Sequence, residues 1–147
     1  MPTRPFRLTV AEPLEIDLHE ACASALNALL LPPAFWFSMP VGHVKLSGAQ
    51  TARLARIGLK RGLCDIFLIF QGLVFGIELK RRRGGRLSKT RVVRTRRGAP
   101  RILEGQEEVF PKLRAAGAAV AVAHSVDEML AQVRAWGLPL RDHRLVA

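Results

Sequence analysis

Two apolar runs, Ile66-Phe67-Leu68-Ile69-Phe70 and Leu73-Val74-Phe75-Gly76-Ile77, flank a Gln71-Gly72 break near the centre of the chain. Runs rich in Ile, Val and Phe around a glycine-containing turn predict a β-hairpin, here spanning Gly62 to Lys80. With Gln71 and Gly72 as the two loop residues, Phe70 pairs with Leu73, Leu68 with Phe75 and Asp65 with Glu78. A three-residue loop would offset that register by about one position. Both faces of the two strands are apolar except at the Asp65 end, a pattern that predicts helices covering both sides of the sheet.

Upstream, Glu15 to Leu30 reads as a helix, with Leu18, Cys22, Ala25, Leu26 and Leu29 on one face at helical spacing. Glu15 shares that face; Glu20, Ser24 and Asn27 lie opposite. Pro32 and Pro33 end the helix. Ala34 to Ser38 reads as a short strand whose aromatics are assigned to the core. Met39 to Gly48 is a loop carrying His43 and Lys45, and Gln50 to Ile57 is a polar, basic helix. Downstream, residues 81–100 show no apolar periodicity apart from Val92-Val93. They predict a loop that is disordered until it meets a ligand, or one whose Thr90–Arg96 core forms an extra strand pair or a dimer arm.

Ile102 to Ala116 reads as a helix burying Val109, Phe110 and Leu113. Pro111 inside it costs about 3 kcal/mol, so the helix kinks there or begins nearby. Gly117 closes it. Ala118 to Ala123 is a wholly apolar strand suited to a sheet interior. Ser125, with Glu128 three residues on, predicts a capping box for a last helix that buries Met129, Val133 and Trp136 and stops at Gly137 and Pro139. Residues 1–13 read as an irregular arm. The order predicts one α/β domain over residues 1–147, a small mixed β-sheet flanked by helices.

Charge changes this picture. The chain carries a net charge of +11 with 49% hydrophobic residues, so it is a folded domain with an expected polyanionic partner. The charge is clustered: residues 81–101 hold ten Arg or Lys and no acid. Such a segment is an expected nucleic-acid footprint, through Arg81, Arg82, Arg83, Arg86, Lys89, Arg91, Arg94, Arg96 and Arg97. Arg53, Arg56, Lys60 and Arg61 lie near the hairpin's open end and are further candidate phosphate contacts; for each alone, a solvated helix face is the plainer explanation. Cys22 and Cys64 form neither a disulfide framework nor a zinc set, and the expectation is reduced, partly buried thiols in a cytoplasmic protein. No apolar run of about 18 residues predicts a membrane span, and no signal peptide is expected. His124 and His143 are isolated and read as structural or exposed.

The chemistry concentrates where Asp65 faces Glu78, with Lys80 two residues beyond on the same face. Crowded carboxylates repel, and one takes a proton unless a cation intervenes. Two readings follow: a structural salt bridge with Asp65 capping the strand, or a site for a hard divalent ion such as Mg²⁺ or Mn²⁺. Glu15 is likewise either a helix N-terminal acid or a residue aimed into the site.

Asp65, twelve intervening residues, then Glu78-Leu79-Lys80 resembles the signature of the PD-(D/E)xK nucleases. The surrounding residues resemble the VRR-NUC branch. They are Gly58 and Gly62 before Asp65, Ile77 before Glu78, then Gly85, Leu87 and Ser88, and finally Gln106, Leu113 and Gly117. Two features depart from that pattern. Cys64 stands where the family usually has Pro, and seventeen residues separate Ser88 from Gln106 where relatives have only a few.

The resemblance implies a restriction-endonuclease-like core and metal-dependent hydrolysis of DNA. Asp65, Glu78, the Leu79 backbone carbonyl and Glu15 would hold Mg²⁺ or Mn²⁺. Lys80 would orient the attacking water, with Gln106 positioning the group. It further implies branched DNA, such as a Holliday junction, as substrate and a homodimer to match its two-fold symmetry. The alternatives are a non-catalytic DNA- or RNA-binding module and a nuclease toxin of a defence system.

Overall fold

The computed structural model describes residues 12–94, 96 and 98–142. A four-stranded mixed sheet runs β1 (Phe35–Ser38), β2 (Ile66–Phe70), β3 (Leu73–Leu79) and β6 (Ala119–Ala123) in that spatial order. The first three strands are an antiparallel meander, and β6 lies parallel to β3. A separate two-stranded ladder joins β4 (Arg91–Val93) to β5 (Arg101–Leu103). Four α-helices complete the chain: α1 (Glu15–Leu29), α2 (Gly48–Arg56), α3 (Gln106–Ala115) and α4 (Val126–Ala135), with a 3₁₀ turn at Pro40–His43. No helix among the described residues is long and apolar enough to cross a membrane.

The hairpin has the expected register: Phe70 pairs with Leu73, Leu68 with Phe75 and Ile66 with Ile77. Gln71 and Gly72 both adopt positive φ, 50° and 76°, as a type I′ turn requires. Strand parity then sorts the side chains. Ile66, Leu68, Phe75, Ile77 and Leu79 point to one face and pack with Cys22 and Leu26 of α1 and Met129, Leu130 and Val133 of α4. Each such fully buried aliphatic contributes about 1.5–3 kcal/mol. Cys64, Phe67 and Phe110 of α3 form a smaller cluster, and Glu78 and Gln106 meet in the same layer.

Several expectations are corrected. One face of the hairpin is covered nearly to the turn, through Leu68, Phe70 and Phe75, whereas Ile69 and Val74 on the other face and Leu73 beside the turn are exposed. Phe35 is 64% exposed and Phe37 is only partly covered by stacking on Phe67. Strand alternation puts Trp36 on the Leu68 face and Phe35 and Phe37 on the other, so of the three aromatics only Trp36 packs against the main core. The β6 strand is an edge, with Val122 exposed. Ile102 belongs to β5, and α3 starts only at Gln106. Pro111 therefore lies inside a short helix. The basic segment forms a strand pair between β4 and β5. Glu128 makes only half a capping box: Ser125 accepts from its N–H, but its carboxylate accepts from His124 N instead. Both cysteines are free and fully buried. Most of the N-terminal arm, with Arg97 and His143, lies outside the described residues.

Cys64 has a packing partner that explains its place. A Cβ on Gly76 of the adjoining strand would stand 2.7 Å from Cys64 Sγ. Gly76→Ala should therefore destabilise by about 1–3 kcal/mol through overpacking, lowering Tm by roughly 2–10 °C. In a Cys64→Ala background the same substitution should cost under about 1 kcal/mol, read from urea unfolding of the four variants of the cycle. Equal penalties in the two backgrounds would show that the sulfur is not the obstacle.

Candidate active site

Asp65 sits immediately before β2, opposite Glu78 in the extended hairpin register. Its Oδ2 accepts a hydrogen bond from Leu79 N at 2.8 Å, fixing the carboxylate against β3. Glu78 is 1% exposed. Its Oε1 takes two donors, Lys80 Nζ at 2.8 Å and Gln106 Nε2 at 2.5 Å. Its Oε2 is buried with no partner. Glu15, from the first turn of α1, brings Oε1 to 4.0 Å from Lys80 Nζ. Glu20 is exposed. All five predicted residues, Glu15, Asp65, Glu78, Lys80 and Gln106, line one cleft of about 400 Å³, with Ser88, Lys60 and Arg61 on its walls.

Gln106 is held rather than free. Its backbone N–H donates to Ser88 Oγ at 3.0 Å, and its side-chain carbonyl accepts from Ser88 N at 3.1 Å. That approach is possible because residue 105 has no side chain: a Cβ there would lie 2.3 Å from Ser88 O and from Lys89 C. Thr90 continues the clamp, accepting from Gly105 N and donating to Glu108. The root of the basic segment is thus fastened to the start of α3. On the other side of the site, His124 Nδ1–H donates to the Lys80 carbonyl at 2.9 Å and Lys80 N donates to Ala123 O, so His124 has a structural role.

The electrostatics follow from burial. Desolvation, and then the charge of Asp65, push Glu78 up to about 7, against the opposing pull of Lys80 and Gln106. Burial works to lower the Lys80 ammonium, but Glu78 more than offsets it and its pKa is raised. The two shifts are compatible: Lys80 stays an ammonium while Glu78 holds its own proton to about 7. The rise at Glu78 reflects a carboxylate that is the more deeply buried member of the pair and faces a second acid. Burial pushes the Cys22 and Cys64 thiols up to about 11 and about 12, so neither is a thiolate at neutral pH.

The wider basic set divides. Lys60 and Arg61 line the cleft, while Arg53 and Arg56 are exposed on α2. Arg82 is paired with Glu128, and Arg81 lies 3.7 Å from Glu12. Glu12 also accepts from the backbone N–H of Arg82. Arg83, Arg86, Lys89, Arg91, Arg94 and Arg96 are exposed.

No family model, curated protein or solved structure matches this chain.

One group at the site was not anticipated. His19 of α1 and His43 of the 3₁₀ turn bring ring nitrogens to 3.3 Å, and Ser38 Oγ lies 2.8 Å from the other nitrogen of His19. One atom from each imidazole and from the Asp65 carboxylate all fall within 4.8 Å of one another. Burial lowers the His19 pKa, with the charges of Asp65 and Glu15 opposing. The only sequence signal was the spacing of Glu15 and His19, one helical turn apart.

The buried acid has a measurable signature. In the folded state Glu78 keeps its proton up to about 7, whereas its ordinary value is 4.5. Its contribution to stability is therefore fullest below the ordinary value and is lost as pH rises through the raised one. In EDTA, the wild type should lose on the order of 2–3 kcal/mol over that window. Glu78→Gln should remove that portion of the pH dependence, as read from urea midpoints. A wild-type profile that rises across this window would contradict the assignment.

Proposed function

We propose that this chain is a divalent-metal-dependent nuclease of the VRR-NUC type, with a restriction-endonuclease-like core, hydrolysing phosphodiester bonds in DNA. The observation that carries this reading is Glu78. A buried carboxylate with one oxygen doubly hydrogen-bonded and the other unpartnered, facing a second carboxylate in an open cleft, is costly as a purely structural device. It suits a cation.

The donor types suit a hard ion, although the ligand oxygens of Glu15, Asp65 and Glu78 do not all lie within 4.8 Å of one another, so an ion would have to draw them together. Asp65, Glu78, the Leu79 carbonyl and Glu15 would hold Mg²⁺ or Mn²⁺ with oxygen ligands. Bound there, such an ion supplies charge neutralisation at the phosphoryl group and a more acidic water. The rest falls to the chain. Lys80, tethered by Glu78 and close to Glu15, presents an ammonium to an attacking water or to charge developing on the phosphate. Gln106, fixed by Ser88, keeps Glu78 and Lys80 in place. Lys60 and Arg61 on the cleft wall are placed to bind phosphates of the strand being cut, and the exposed arginines of the β4–β5 hairpin to bind phosphates farther away. Branched DNA and a homodimer belong to the same proposal, as the resemblance to the VRR-NUC nucleases implies.

With Mg²⁺ or Mn²⁺ and a panel of plasmid, flap and four-way-junction DNA, Asp65→Asn and Glu78→Gln should abolish cleavage while DNA binding persists. Glu15→Gln should slow cleavage far more than Glu20→Gln. Near-wild-type cleavage by either of the first two variants would remove the site assignment. Binding by the wild type without cleavage of any substrate would favour the non-catalytic binding module.

The basic hairpin is tested by salt. Each phosphate neutralised on duplex DNA contributes about −0.9 to the slope of log K against log salt. Replacing Arg91, Arg94 and Arg96 by Ala should flatten that slope by roughly two to three units, and by similar amounts on unrelated sequences. An unchanged slope accompanied by dissociation of a dimer would instead make the hairpin a dimer arm.

A further inference from the structure

We propose that His19, His43 and Asp65 form a second metal site, selective for a borderline transition ion of the zinc class, which shares Asp65 with the cleft. The proposal goes beyond the nuclease reading, and its binding test does not depend on cleavage.

Three observations support it. The donor set is two imidazoles and a carboxylate within 4.8 Å of one another, a combination that zinc-class ions favour over Mg²⁺. The two imidazole nitrogens are 3.3 Å apart. Two nitrogens each at about 2.0–2.1 Å from a tetrahedral ion stand about 3.3–3.4 Å from one another, so these rings already have the spacing of neighbouring ligands. The third observation concerns orientation. His19 Nε2 lies 2.8 Å from Ser38 Oγ. With its N–H donated to that hydroxyl, the ring turns the lone pair of Nδ1 toward His43, the outer-shell arrangement that fixes a ligating histidine.

The placement also gives such an ion a role. The ligands come from α1, from the 3₁₀ turn and from the residue leading into β2. An ion there would tie the Pro40–His43 turn, whose Val41 and Gly42 line the cleft, to the helix that carries Glu15. It would also place positive charge beside the Asp65 carboxylate. Neither imidazole lines the cleft, so the nitrogen donors and the Glu78 oxygens approach Asp65 from separate surroundings.

The test is a Co²⁺ titration of the full-length, metal-stripped protein, followed by visible absorption and by Tm. One equivalent should bind with the intense bands of tetrahedral cobalt and raise Tm. Zn²⁺ should displace it, and a large excess of Mg²⁺ should not. His43→Gln, with a circular dichroism spectrum like the wild type, should lose the tetrahedral bands and bind at least tenfold more weakly. Ser38→Ala, which leaves all three ligands in place, should weaken binding by about 10–100-fold. The absence of tetrahedral absorption in the wild type overturns the proposal. So does equal binding by His43→Gln, or ready displacement by Mg²⁺, since either would place the ion among the cleft carboxylates. Cleavage that fails while cobalt binding follows the expected pattern would count against the nuclease reading alone.

Discussion

A carboxylate that is 1% exposed has to be compensated, and much of the local structure is arranged around Glu78. An unpaired buried charge would cost several kcal/mol. Lys80 and Gln106 offset part of this through a single oxygen. Gln106 can do so only because Ser88 grips it from both its backbone and its side chain. Ser88 in turn reaches Gln106 only because Gly105 has no Cβ to strike the Ser88–Lys89 backbone. One buried carboxyl group thus fixes the start of α3 and, through Thr90 and Glu108, the root of the basic hairpin. The second oxygen, left without a partner, is where this compensation stops and where a ligand would complete it.

The hairpin was legible in the sequence because two apolar runs of strand-forming residues flank a turn dipeptide. With Gln71-Gly72 as the two-residue turn only one register is possible, and that register carries Asp65 to Glu78. The α1 face was legible from its helical spacing, including the contrast between Glu15 and Glu20. The start of α3 was not. Ile102 and Leu103 extend the helical apolar pattern, yet they pair with Val92 and Arg91, a contact set by the clamp at Ser88 and Gly105. The edge position of β6 was hidden too, since Ala119–Ala123 is as apolar as a central strand. Its side chains are small and only partly covered. The His19–His43 pair joins residues far apart in sequence, and the one local hint, Glu15 and His19 a helical turn apart, says nothing of His43.

Composition overstated one thing and understated another. The basic run contains no acid of its own, but the fold brings Glu12 and Glu128 to its first residues, so Arg81 and Arg82 are partly neutralised. The exposed positive charge is displaced toward Arg91, Arg94 and Arg96. There it flanks an apolar pair, with Val92 61% and Ile102 69% exposed. A short two-stranded ribbon with a hydrophobic patch and arginines beside it is a different object from a disordered basic loop. Its stalk is anchored at the site, and its outer surface offers both charge and apolar contact.

Asp65 is the one residue common to the two donor groups, and this determines how they can be told apart. Oxygen donors from Glu78 and Glu15 favour hard ions, whereas the imidazoles of His19 and His43 favour borderline ones. Removing Asp65 weakens both sets and cannot say which ion matters for which property. Glu78 and His43 each belong to one set alone. A property lost with Glu78 and kept with His43 belongs to the oxygen side, and the reverse assigns it to the nitrogen side. A property lost with either one is a coupling through Asp65, whose orientation is fixed by the Leu79 N–H. That carboxylate is held in place by the sheet, so an ion on one side would act on the other through its charge, without requiring the strand to move.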